Sequence, residues 1–205
     1  MFRKEKLSVN AFNRYGVLFF TISFLGWCFE KAGRYIVYNS VTDRGFLTLP
    51  ICPIYASSIL IIYFLVGSPR NMRIGVYPSG EGKAEKVRCL FLNVILYFLF
   101  SVFISTAVEL SVGVFFNEVL GVSLWNYENL PLNLGGYISL GYCVLWGALI
   151  TLFMLFIWEP LHGLFGRIDG RVLFAVNGFF CFLMTADFIF NIIYIIKTGE
   201  HFNFL

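Results

Sequence analysis

The sequence predicts an all-α integral membrane protein, a bundle of about five transmembrane helices, and three observations carry that prediction. Of its 205 residues, 59% are hydrophobic and 20% aromatic. Only 13% are charged, where soluble domains carry about 25%. Five apolar stretches also approach the roughly 20 residues that a helix needs to cross a bilayer. The apolar content exceeds what one water-surrounded core of this length can hide, so lipid must cover the remainder.

The first span is expected over residues 15–38 and runs into Glu30, Lys31 and Arg34. No small-residue cleavage site follows a short apolar core, so the span reads as retained and not as a secretory signal. The second is expected over 46–66, with Pro50 and Pro53 breaking its first turns. The third opens at Cys89, and up to Val122 its only ionisable residues are Glu109 and Glu118. That run outlasts one crossing and is too short for two. The sequence therefore predicts a break near Gly113 and a re-entrant or interfacial piece after it. The fourth and fifth spans are expected over 136–158 and 171–196.

Charge sets the orientation. Eleven Lys and Arg lie in the tail 1–14, in the 67–88 loop, and at Arg167 and Arg171; four, Lys31, Arg34, Arg44 and Lys197, lie on the other side. Cytoplasmic loops are the Lys/Arg-rich ones, which predicts a multi-pass cell-membrane protein with a cytoplasmic N-terminus, an external C-terminus and an external 122–134 loop. The chain is read as one transmembrane domain over 1–205, with 67–88 as a flexible cytoplasmic connector.

Several function classes fall away. No basic run interleaved with aromatics suggests nucleic acid. The five cysteines are scattered without metal-ligand or redox spacing, so no metal or cofactor is expected and they read as helix-packing residues. Gly80-Glu81-Gly82-Lys83 lacks the spacing and the hydroxyl of a phosphate-binding loop, so any ATPase must be a separate subunit.

Ionisable groups inside a bilayer are costly and mark function or pairing. Counting along each helix puts Glu30, Glu109 and Asp187 at one outer depth. Ser23, Trp27, Glu30 and Arg34 form a stripe at helical spacing, as do Ser101, Ser105 and Glu109, while Asn177, Asp187 and Asn191 mark the last helix. The expected site is an outward-facing polar pocket of Glu30, Arg34, Arg44, Glu109 and Asp187, rimmed by Trp125 and Asn133. Its mixed charge suits a small polar or head-group-like ligand. Trp125 and Tyr127 taken alone read as interfacial anchors.

The residues Gly26-Trp27-Cys28-Phe29-Glu30, Asp43-Arg44-Gly45-Phe46-Leu47, Pro50-Ile51-Cys52-Pro53-Ile54-Tyr55, Glu118, Trp125-Asn126-Tyr127, Pro131-Leu132-Asn133-Leu134-Gly135-Gly136-Tyr137-Ile138 and Trp146-Gly147 together resemble the CmpB family of ABC-transporter-type (type IV) membrane proteins. The resemblance implies a permease-like or substrate-binding subunit, with an ATPase or a second copy as partner. Two positions depart from the family pattern: Asn126 stands where an acid is usual, and Tyr137 where an arginine is usual. The residues leave two other classes open. One is a membrane enzyme acting on a lipid or lipid-linked head group at the outer leaflet, with Glu30, Glu109 or Asp187 as acid or base and Arg34 and Arg44 on phosphate. The other is a scaffold or regulatory subunit in which the acids are packing pairs.

Overall fold

A computed structural model of the chain describes residues 9–39, 45–80, 82–199 and Phe202. The described residues are all-helical apart from two short hairpins: α1 (Val9–Tyr38), α2 (Pro53–Val66), β1 (Gly67–Ser68), β2 (Asn71–Met72), α3 (Lys83–Leu120), β3 (Asn133–Leu134), β4 (Ile138–Ser139), α4 (Leu140–Phe156), α5 (Trp158–Phe165) and α6 (Gly170–Thr198). They fall into two compact units, one of Met1–Ala56 with Leu161–Leu205, the other of Ser57–Pro160.

In the first unit α1 packs on α6. The contact uses small and polar residues, as helix contacts in membranes do where no water drives association. A Cβ on Gly16 would meet the Asn177 amide at 2.7 Å, and the same amide donates to the Asn13 carbonyl at 2.7 Å. Phe20 and Phe180 stack at 5.3 Å further along the seam. In the second unit α3 packs on α4 through Gly147, where a Cβ would run into the Val102 side chain and approach Val102 N to 3.1 Å.

Among the described residues two helices, α3 and α6, are long and apolar enough to cross a membrane. The pair α4 and α5 qualifies together, bent by 53°. Pro160 explains the bend, because its ring clashes with the carbonyl four residues back, that of Phe156, where α4 ends. α1 has 30 residues, but only 15 uncharged ones separate Arg14 from Glu30, and α2 has only 14 residues.

Three expectations are corrected. No break occurs near Gly113: α3 is one continuous helix of 38 residues, about 57 Å long at 1.5 Å per residue. Gly113 serves close approach instead, since a Cβ there would sit 3.2 Å from the Tyr137 ring and 3.3 Å from the Trp125 ring. The helix ends at Gly121, whose φ of +67° suits glycine and whose N–H bonds the Asn117 carbonyl. Second, residues 46–52 are not helical: Pro53 is the first residue of α2, where its missing N–H costs nothing, and Pro50 precedes the helix. Third, the supposed flexible connector carries an antiparallel hairpin, Gly67 opposite Met72, with Met72 only 1% exposed.

If Gly147 exists to let α3 and α4 touch, Gly147→Ala should destabilise by about 1–3 kcal/mol through overpacking. Gly141→Ala should change little, since a Cβ there meets nothing within 4 Å. Thermal unfolding in detergent reads the difference; equal melting temperatures would contradict the packing described.

Candidate functional site

Two acidic centres are built in the first unit, and both hold the non-helical stretch 45–52. Asp187 lies eleven residues, about 16 Å, before the end of α6. Its carboxylate accepts from the Thr48 hydroxyl, from the Leu49 N–H at 3.1 Å and from the Asn191 amide at 3.2 Å. Phe46 packs on Phe188 beside it, with ring centroids 5.1 Å apart. A few residues on, the Cys52 N–H donates to the Ser23 carbonyl at 3.0 Å, halfway along α1. The stretch is thus irregular backbone pinned to the middle of one long helix and the C-terminal half of another.

Glu30 receives the Tyr55 hydroxyl at 3.3 Å and faces the Cys52 thiol at 3.9 Å. Gly26 makes this geometry fit: a Cβ one turn before Glu30 would lie 2.6 Å from Tyr55 Cγ, so only glycine admits the ring. Tyr55 lies in the first turn of α2 and Cys52 immediately precedes it, and the N-terminal end of a helix carries partial positive charge that favours acids nearby. Arg34 is half-buried one turn beyond Glu30, and the Lys31 ammonium lies 5.6 Å from the Trp27 ring centroid. Arg44 and Asp43 lie outside the described residues.

The third acid, Glu109, belongs to the second unit. It ends a buried column on α3 at four-residue spacing: Asn93, Tyr97, Ser101, Ser105, Glu109. Glu109 is 7% exposed, and the Tyr127 hydroxyl donates to it at 3.0 Å. Tyr127 stacks on Tyr142 at 4.8 Å, which holds the hydroxyl in place. The predicted rim residues organise this same loop. Trp125 donates its indole N–H to the Tyr137 carbonyl at 2.8 Å, and Asn133 donates to the carbonyls of Glu128 and Leu130 while accepting from the Gly136 N–H. Gly136, at φ +74°, is required at the turn both by its backbone and by Glu128, which a Cβ would meet at 2.9 Å.

Sequence reasoning missed the hydroxyl partners. Tyr55 carried no signal beyond lying in a resemblance motif, Thr48 lies between two such motifs, and Tyr127 read as an anchor. Tyr137 was noted only for standing in place of an arginine; its hydroxyl donates to Glu118 at 2.8 Å and accepts from Asn117 at 2.8 Å, a neutral contact to an acid. Among the described residues no group of three or more His, Cys, Asp or Glu gathers in a way that could hold a metal ion.

Removing the Tyr127 hydroxyl leaves a buried carboxylate one donor short, so Tyr127→Phe should cost about 1–3 kcal/mol. Combining it with Glu109→Gln should cost less than the sum of the two single changes, because they act on one bond. Additive losses in unfolding midpoint would deny the coupling.

No curated protein and no solved structure matches the chain. The model of one protein family does match, over residues 17–192, and its description is "Putative ABC-transporter type IV". That match spans both acidic centres of the first unit, the Glu109 column and the loop it holds, and the chain belongs to this ABC-transporter-type membrane family.

Proposed function

We propose that the chain is the solute-contacting membrane component of a transport system, permease-like or substrate-binding, that crosses the cell membrane about five times with its N-terminus inside and its C-terminus outside. The observation that carries this reading is the interrupted helix: non-helical backbone over 45–52 feeding a 14-residue half-helix, α2, whose N-terminal end meets Glu30. Irregular backbone at membrane depth is tolerated where it lines a cavity or is held by protein, and transporters place substrate and ion sites at such broken helices. The family membership supports the same class.

In this reading the candidate solute residues of the first unit are Glu30, Arg34 and Asp187, with Arg44 outside the described residues, and those of the second unit, taken by itself, are Glu109, Trp125 and Asn133. Acids and arginines together suit a zwitterion or a charged head group. Energy comes from a separate ATPase subunit, since the sequence has no phosphate-binding loop of its own, and a second copy or another partner completes a bundle that is small for a transporter.

Two measurements test this. Single cysteines at Ser79 and Ser123, in a background without native cysteines, report orientation: an impermeant maleimide on whole cells should label position 123 and spare 79, and the reverse pattern inverts the topology. For binding, purified protein is screened by thermal shift against amino-acid zwitterions, phosphocholine and phosphoethanolamine. A ligand that raises the melting temperature by ~3 °C or more should lose that effect in Glu30→Gln and Asp187→Asn. A shift that survives both substitutions removes these acids from the site.

A further inference from the structure

Five cations, Arg70, Arg73, Lys83, Lys86 and Arg88, lie in the 67–88 segment against two acids, Glu81 and Glu85. All five are exposed, while the Glu85 carboxylate is turned to the Ser79 N–H at 2.7 Å. What these cations face is fixed by α3. Its residues Val87, Phe91, Ile95, Leu99 and Phe103 follow at four-residue spacing and are between 42% and 74% exposed, which makes them the lipid-facing stripe of a helix long enough to cross. Lys83 is the next residue of that stripe toward the N-terminus, one turn before Val87, and Lys86 and Arg88 flank it. Lys83, Lys86 and Arg88 therefore sit at the head-group level of the leaflet whose acyl layer begins near Val87.

The chain before them runs deeper. The amide of Asn93, about 9 Å beyond Val87 along α3, accepts from the Val76 N–H at 2.7 Å and donates to the Val76 carbonyl at 3.0 Å. One turn further, the Tyr97 hydroxyl donates to the Gly67 carbonyl at 3.2 Å. Arg73 closes the end of α2, its N–H bonding the Val66 carbonyl at 2.8 Å and its guanidinium the Phe64 carbonyl. Backbone groups of Gly67, Arg73 and Val76 thus find partners within the protein, as non-helical backbone in a hydrocarbon layer requires. Ile74 and Tyr77, 64% and 56% exposed, belong to this pinned strap and leave apolar surface uncovered along it.

We propose that the 67–88 segment is an anionic-lipid site: the strap through Ile74 and Tyr77 occupies the acyl layer beside α3, and Lys83, Lys86 and Arg88 hold lipid phosphates at the surface of the same leaflet. The occupant is lipid because the cations continue the lipid-facing stripe of α3 and are bordered by exposed apolar groups, Val87 among them. The inference rests on α3 crossing the membrane and not on the transport reading.

The full chain, reconstituted with equal phosphatidylglycerol and phosphatidylcholine and released into mild detergent, is measured by native mass spectrometry. Phosphatidylglycerol should be retained over phosphatidylcholine by ~10-fold or more, and Lys83→Gln with Lys86→Gln and Arg88→Gln should bring the ratio toward parity. The three single substitutions serve if the triple variant fails to fold. A nitroxide at position 74 should be reached by oxygen and shielded from a water-soluble relaxant, and one at 79 the opposite. Equal retention of the two lipids, an unchanged ratio in the variants, or a water-exposed label at 74 would overturn the proposal. So would a variant that loses an ATPase partner while keeping its lipid preference, since the surface would then belong to protein.

Discussion

A peptide N–H or C=O that enters the hydrocarbon layer outside a helix has no water to bond, and leaving it unpaired costs several kcal/mol. At several places where this chain leaves helical geometry, its backbone groups find partners within the protein. Leu49 finds the Asp187 carboxylate, Cys52 finds the Ser23 carbonyl, Val76 finds both ends of the Asn93 amide, and Gly67 finds the Tyr97 hydroxyl. Each polar side chain in that set sits on a long apolar helix, where it would be a liability without its backbone partner.

The acids follow the same logic. Glu30, Glu109 and Asp187 each accept a hydroxyl from a segment outside its own helix: Tyr55, Tyr127 and Thr48. Glycine makes the approach fit where space is limiting, at Gly26 under the Tyr55 ring and at Gly113 under Trp125 and Tyr137. These acids therefore position backbone and loops as well as carrying charge. The two roles are compatible, since a site for a charged solute needs carboxylates held in one geometry before the solute arrives.

An interrupted helix is a way to bring helix-end charge into the membrane interior. α2 begins at Pro53 beside Glu30 and ends at Val66, where Arg73 takes over its last carbonyls. A cation at that end and acids at the other match the polarity of the peptide dipoles. The same 14 residues thus meet Glu30 at their start and the Arg73 strap at their end.

By itself the sequence determined the class of environment, the family, and which residues on α3 turn inward. Composition reports total apolar area, the joint motifs are specific, and four-residue spacing maps directly onto one helix face. The Ser101, Ser105 and Glu109 stripe is buried as that spacing predicts. What only the tertiary structure decided was where helices stop. Hydropathy read 46–66 as one span because Phe46, Leu47 and Ile51 are as apolar as the helix that follows them, and it cannot see that Leu49 and Cys52 bond to α6 and α1. It placed a break near Gly113 because the uncharged run from Cys89 to Val122 outlasts one crossing, whereas α3 continues unbroken to Leu120 with two aromatic rings packed close to that glycine. Backbone hydrogen bonds to distant side chains leave no periodic trace in the sequence, so the half-helix, the strap and the hydroxyls that hold the acids emerge only when the chain is folded.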